Sequence, residues 1–291
     1  MPFLGAHMPT SGGLHLVFDR IAAVGGEALQ LFTRNQRQWA GTSITDAEAE
    51  AFAAGWKRWG REHIFAHASY LINLASPDET LWRKSASALA REFIRCARLN
   101  IPWVVLHPGS HKGAGRNDGC IRAAACLDMA FEEAGDQAGD VGLLLENTSG
   151  TGTALGADPE DLAEMISASE HALRLGICWD TCHGFAAGHD PRHQDSWAEV
   201  TSRLDRTVGL SRLQLLHLND SKTPLGSRRD RHEHIGLGEI GFAGFSTILN
   251  DPPLAHLPMV LETPKGSDLA EDIENLNVLR GLLKAVPEEN L

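Results

Sequence analysis

Residues 104–107 read Val-Val-Leu-His, and residues 143–146 read Leu-Leu-Leu-Glu. Each is a short apolar run that stops at a side chain able to bind a metal. The pattern recurs along the chain. Residues 4–6 lead to His7, 64–66 to His67, 176–179 to Asp180, 213–216 to His217, and 260–261 to Glu262. An eighth run, 29–32, leads to Thr33-Arg34-Asn35. Strands buried on both faces read as nearly unbroken apolar runs of this length, as in parallel sheets.

Between the runs lie segments with helical spacing of apolar residues. They cover 13–25, a helix beginning at Thr45, 78–99, 122–133, 159–173, 197–208, 242–249 and 273–286. Asp158-Pro159-Glu160 has the form of a helix start, with a cap residue followed by proline. Eight strand–helix alternations predict an α/β fold, a TIM-type (β/α)8 barrel, as a single domain over residues 1–291. A doubly wound open sheet is the alternative, but it would gather ligands at one switch point. Seven strand ends with His, Glu or Asp, six of them candidate ligands, fit a barrel, whose chemistry sits at the carboxyl ends of its strands. Residues 109–119 and 218–241 are polar and glycine-containing and read as active-site loops.

The chain has 291 residues and 43% hydrophobic residues, with no uncharged apolar run long enough to span a membrane. The first strand pattern begins at once, which predicts no secretory leader. The 5 cysteines, Cys96, Cys120, Cys126, Cys178 and Cys182, show no pairing framework. Reduced thiols and a cytoplasmic location are expected. The formal charge of −12 argues against a polyanionic partner. Bound cations would offset part of it, and Arg34, Arg37, Lys222, Arg228, Arg229 and Arg231 cluster in loops.

The strand ends supply His67, His107, Glu146, Asp180, His217 and Glu262. Asp180-Thr-Cys-His183 adds His183, and Asp230-Arg-His232 adds two groups on one side of an extended segment. Neutral imidazole and ionised carboxylate are the usual holders of divalent metals. Nine such groups are too many for one tetrahedral site; with one bridging carboxylate they accommodate three metals. His7 is expected to line the pocket, and His234 competes with His232. His111, His189 and His193 fall in polar loops, while His15, His63, His171 and His256 fall in or beside helices as structural residues. Several metals in one pocket suit in-line displacement at phosphorus. A sugar isomerase or epimerase is the rival; it would use Glu146, Asp180, His217 and Glu262 for one or two ions. His183, Asp230 and His232 discriminate, because isomerisation gives a third site no evident role.

Longer stretches carry a resemblance. They are Gly5-Ala-His-Met with Gly12-Gly-Leu, Phe32-Thr-Arg-Asn-Gln-Arg-Gln-Trp39, His67-Ala-Ser-Tyr-Leu-Ile-Asn73, His107-Pro-Gly-Ser110 and Glu146-Asn-Thr148. Asp180-Thr-Cys-His183, His217-Leu-Asn-Asp-Ser-Lys222, Gly226-Ser, Asp230-Arg-His232, Ile235-Gly-Leu-Gly-Glu-Ile-Gly241 and Leu261-Glu-Thr-Pro264 continue it. Over nearly its whole length the chain resembles the endonuclease IV family of apurinic/apyrimidinic endonucleases. Pro9, Thr10 and residues 189–194 do not map onto the family pattern.

The resemblance implies three zinc ions. His67, His107 and Glu146 would hold the first. Glu146 would bridge to the second, which also takes Asp180, His217 and Glu262. His183, Asp230 and His232 would hold the third. It further implies hydrolysis of the phosphodiester 5′ to an abasic site, with Glu146 as the base, leaving a 3′-hydroxyl and a 5′-deoxyribose phosphate. The implied partner is double-stranded DNA with abasic or 3′-blocked sites, bound by a monomer. Positions matching Arg37, Tyr70 and Leu71 enter the base stack in the family. Lys222 and Arg231 are candidate phosphate contacts.

Overall fold

The computed structural model describes residues 1–39 and 41–284. Strands β1 (Phe3–Met8), β2 (Ala28–Leu31), β3 (His63–His67), β4 (Trp103–Leu106), β5 (Gly142–Glu146), β6 (Leu175–Asp180) and β7 (Leu213–His217) alternate with helices. After β7 come two short strands, β8 (Asp220–Ser221) and β9 (His232–Glu233), and then β10 (Pro258–Leu261). The helices are α1 (Val17–Ala23), α2 (Asp46–Trp59), α3 (Glu79–Arg98), α4 (Arg116–Ala134), α5 (Pro159–Ala168), α6 (Thr181–Ala187), α7 (Gln194–Thr207), α8 (Gly241–Leu249) and α9 (Ala270–Leu282). The sheet closes in the order β1-β10-β7-β6-β5-β4-β3-β2, and every pair in it is parallel. β8 and β9 form a separate antiparallel ladder.

Strand residues alternate between two cores. Ala28, Phe65, Val105, Leu144, Cys178, Leu215 and Val260 fill the barrel interior. Their neighbours Leu29, Ala66, Val104, Leu106, Leu143, Leu145, Ile177, Leu216 and Leu261 pack outward under the helices. Two residues beyond each interior residue, the pleat again points inward. Those positions are Gln30, His67, His107, Glu146, Asp180, His217 and Glu262, with His7 as the β1 member. One polar layer therefore lids the apolar interior. Gly5 allows β1 to lie against β2 below it, since a Cβ there would stand 1.7 Å from the Ala28 carbonyl oxygen.

Several boundaries differ from the sequence reading. The segment 13–25 divides into a 3-10 turn at Leu14–Leu16 and α1. α4 starts at Arg116, so the loop expected over 109–119 ends there; Gly119 packs inside the helix against His111 and Leu155. α5 stops at Ala168, where Ser169 turns extended and its hydroxyl donates to Asp128. Residues 180–183 are the first turn of α6, not a loop. α9 begins at Ala270, and the end proposed at Val286 lies outside the described residues. His63 opens β3 at the barrel's far end, against the Phe3 ring at 4.1 Å, and is not helical. Thr45 caps α2 through a full capping box with Glu48. No described helix is long and apolar enough to cross a membrane, and all 5 cysteines are buried and unpaired.

Candidate metal centre

Glu146 ends β5 at the middle of the polar layer and is fully buried. Its Oε2 lies 3.0 Å from His67 Nε2 and 3.4 Å from His107 Nε2. Its Oε1 lies 2.9 Å from His217 Nδ1 and 3.4 Å from His183 Nδ1. Burial alone would push this carboxyl up, but His107, His217 and His183 outweigh it and hold Glu146 well below the usual carboxylate range. Glu262 is held low in the same way, foremost by His217. His183 answers in the opposite sense: burial lowers it, but Asp180, Asp230 and Glu146 raise it well above an ordinary imidazole.

Three sets of donor atoms gather here, each with all its atoms within 4.8 Å of one another. The first is His67, His107 and Glu146; the second is Glu146, Asp180, His217 and Glu262; the third is His183, Asp230 and His232. Asp180 and His232 also approach the buried Cys182. Thus the structure brings together all nine groups picked out from the sequence. His234 is turned away, its Nδ1 bonded to Asn275.

The third set is built outside the barrel. Asp180 caps α6 by accepting from the His183 amide at 2.8 Å, which turns His183 inward. Asp230 and His232 come from the β8–β9 hairpin. The fully buried Asp220 holds that hairpin, accepting from the amides of Ser221, Gly236, Gly238, Ile240 and Gly241.

The imidazoles are oriented from behind. His67 Nδ1 lies 2.7 Å from the Ala68 carbonyl, His183 Nδ1 lies 3.1 Å from Asn147 O, and His232 Nδ1 lies 3.2 Å from Glu262 O. A carbonyl behind one nitrogen keeps a proton there and aims the other nitrogen at the cluster, where a bound metal would take its lone pair. His232 Nε2 is buried and lies 3.2 Å from Asp230 Oδ1, yet it is not aligned for a hydrogen bond with it. The three sets are imidazole nitrogens and carboxylate oxygens, with such a nitrogen aimed among them and the Cys182 sulfur close by, and they fit zinc and similar divalent ions.

Sequence reasoning missed the groups that hold these donors. Asn219 Nδ2 donates to Asp180 Oδ2 at 2.6 Å, and its Oδ1 accepts from the Glu262 amide. The Asn147 side chain pairs with the Asp180 backbone through both its atoms. Lys265 Nζ bonds His7 O and Asp272. Gln30 was hidden inside an apolar run, where a lone amide was the only signal.

The layer opens into a cleft of about 800 Å3 lined by His7, Arg20, Phe32, Gln36, Tyr70 and Lys265 along with His67, His107, His183, Asp230, His232 and Glu262. Arg37 is exposed at the β2–α2 loop. Tyr70 is 55% exposed, edge-on to Phe32, while Leu71 is half-buried. Arg231 is exposed and donates to Asp230 O; Lys222 lies 3.7 Å from Glu233. Hydrogen bonds link the rim loops in series. Ser69 bonds Gln36 O, Asn73 bonds Ser110, Ser110 bonds Thr153, and Thr151 bonds Arg228 O.

A family model described as a xylose isomerase-like TIM barrel matches residues 18–281. The probable endonuclease 4 of Chloroflexus aggregans is 48% identical over 284 residues, covering 98% of this chain and 99% of that protein. The chain belongs to the endonuclease IV family. As a member of the endonuclease IV family it is a nuclease, hence a hydrolase. The crystal structure of endonuclease IV from Thermus thermophilus superimposes with a TM-score of 0.84 at 36% identity, covering 97% of this chain and 98% of that one. A D-tagatose 3-epimerase-like protein reaches a TM-score of 0.72 at 18% identity, covering 96% of each chain, which shows the barrel fold alone.

Proposed function

We propose that this chain is a zinc-dependent DNA repair endonuclease. Its substrate is double-stranded DNA with an abasic or 3′-blocked site. It hydrolyses the phosphodiester 5′ to the lesion and leaves a 3′-hydroxyl and a 5′-deoxyribose phosphate. The observation that carries this reading is the third donor set beside two sets that share Glu146. An isomerase has no use for His183, Asp230 and His232.

His67, His107 and Glu146 would hold one zinc; Glu146, Asp180, His217 and Glu262 a second; His183, Asp230 and His232 a third. Bound there, the ions would activate water and neutralise phosphoryl oxygens. Glu146, ionised at neutral pH, orients the attacking water and accepts its proton. The water oxygen bonds to phosphorus as the bond from phosphorus to the 3′-oxygen breaks; the 3′-oxygen takes a proton from solvent on leaving, and Glu146 returns to solvent the proton it accepted. Asn147 and Asn219 keep Asp180 in place during the reaction.

An abasic nucleotide has no base to unstack, so turning it into the cleft is easier than turning an intact one. Arg37, Tyr70 and Leu71 are placed on adjacent loops to fill the vacated stack. Lys222 and Arg231 serve the phosphates. The chain works as a monomeric, single-domain barrel in the cytoplasm, where its thiols stay reduced. The test is incision of a duplex carrying one abasic analogue, with zinc counted per chain. About three zincs with cutting on the 5′ side is the expected result. Fully metallated protein that leaves the duplex intact and turns over a free sugar would overturn the reading.

A further inference from the structure

Gln30 is the one neutral amide in the polar layer, and it is fully buried on β2. Its Nε2 lies 2.5 Å from Glu262 Oε1 and 3.0 Å from His7 Nδ1. Its Oε1 lies 2.8 Å from His217 Nε2. The chemistry of the neighbours fixes which way the amide faces. An ionised Glu262 only accepts, so the NH2 must face it. The carbonyl then faces His217, whose Nε2 must carry a proton. The second amide hydrogen points to His7 Nδ1, which accepts it and leaves the His7 proton on Nε2.

Among the imidazoles of the centre, His67, His183 and His232 each have a backbone carbonyl behind the ring. His217, at the end of β7, has the Gln30 side chain, which crosses the barrel interior from β2. We infer that Gln30 is a positioning residue: it sets the His217 tautomer so that Nδ1 faces Glu146, and it fixes Glu262 at the same time. This rests on the reading of His217 and Glu262 as metal-holding groups. Groups that orient ligands in this way change metal affinity about 10–100-fold when removed.

Two substitutions separate the two halves of the role. Gln30→Met keeps the length and removes both the acceptor and the donor. Gln30→Glu keeps an acceptor opposite His217 but replaces the donor facing Glu262. In 15N-labelled wild-type protein, the His217 Nε2–H is expected to give a low-field resonance protected from solvent exchange, and its absence would overturn the inference. Gln30→Met is expected to lose that resonance and to give up zinc to a competing chelator about 10–100-fold more readily. Gln30→Glu is expected to keep the resonance and still hold zinc more weakly. A Gln30→Met protein that keeps the resonance, or that retains zinc like wild type, overturns the inference. Should Gln30→Met not fold, unchanged zinc retention in Gln30→Glu overturns it. Wild-type protein that binds no zinc and cuts no abasic DNA would sink the functional reading instead. In that case the resonance in metal-free protein decides alone: present in wild type and absent in Gln30→Met supports the positioning role, and present in both removes it.

Discussion

Glu146 is one carboxylate with four imidazoles within 3.4 Å. Glu146→Gln keeps its volume but removes both the charge and the proton acceptor. Incision of abasic duplex should fall by at least the ~10²–10⁴ typical of a lost general base. The circular dichroism spectrum should be unchanged; wild-type incision would remove Glu146 from the chemistry. Arg231 makes a different kind of contribution. Arg231→Ala should weaken binding to abasic duplex and lower the slope of log affinity against log salt by about one. Unchanged affinity and slope across a salt series would show that its guanidinium never reaches DNA. At this scale the sequence was legible where a strand ended in a charged or imidazole side chain. It was not legible at Gln30, because the eye moves past the run to Thr33 while the pleat places the layer position three residues earlier. A neutral amide amid leucines does not announce itself as part of a charged centre.

Asp220 does for an element what Glu146 does for a site. Its carboxylate ties five backbone amides into the segment that carries Asp230 and His232. Asp220→Ala leaves those amides without their acceptor, each a penalty of about 1–3 kcal/mol if water does not reach it. The expected result is a drop in urea midpoint and the loss of about one zinc per chain. Retention of all the zinc at an unchanged midpoint would mean that the hairpin holds itself. The hairpin's extended Asp230-Arg-His232 segment was readable from its alternation, and so were most strand and helix cores. The start of α6 was not. Asp180 and His183 were read as a loop pair, because a seven-residue helix gives too few turns for its apolar spacing to show. Asp220 was invisible for a physical reason: four of its five partners are amides 16 to 21 residues away, and amides carry no sequence signal.

The barrel itself followed from counting alternations, since eight parallel pairs close without an edge. What the count could not supply is the polar layer's effect on the molecule's stability. Burial lowers His67, His183 and His217, but their neighbours outweigh it and raise all three: carboxylates at His67 and His183, and Cys178 ahead of Glu262 and Glu146 at His217. Protonated, they stabilise the metal-free protein fully below pH 6.5, and that contribution fades as pH rises through their folded values. Metal binding runs the other way, because the imidazoles must shed their protons. The melting-temperature gap between zinc-loaded and chelated protein should therefore widen from pH 6.5 upward. A constant gap would uncouple these histidines from metal. Net charge is also a property of the whole: −12 opposes DNA at long range, so binding falls to the exposed cations of the rim. That rim is stitched loop to loop from Gln36 to Arg228. A mouth sewn in this way behaves as a mould more than a hand. It has little slack with which to close on its substrate, so the duplex must supply the bending. Amide exchange in residues 69–73, 110 and 151–153 should then be nearly the same with and without abasic duplex, while the duplex shows a large change of curvature. Damage would be selected by its pliancy as much as by its shape.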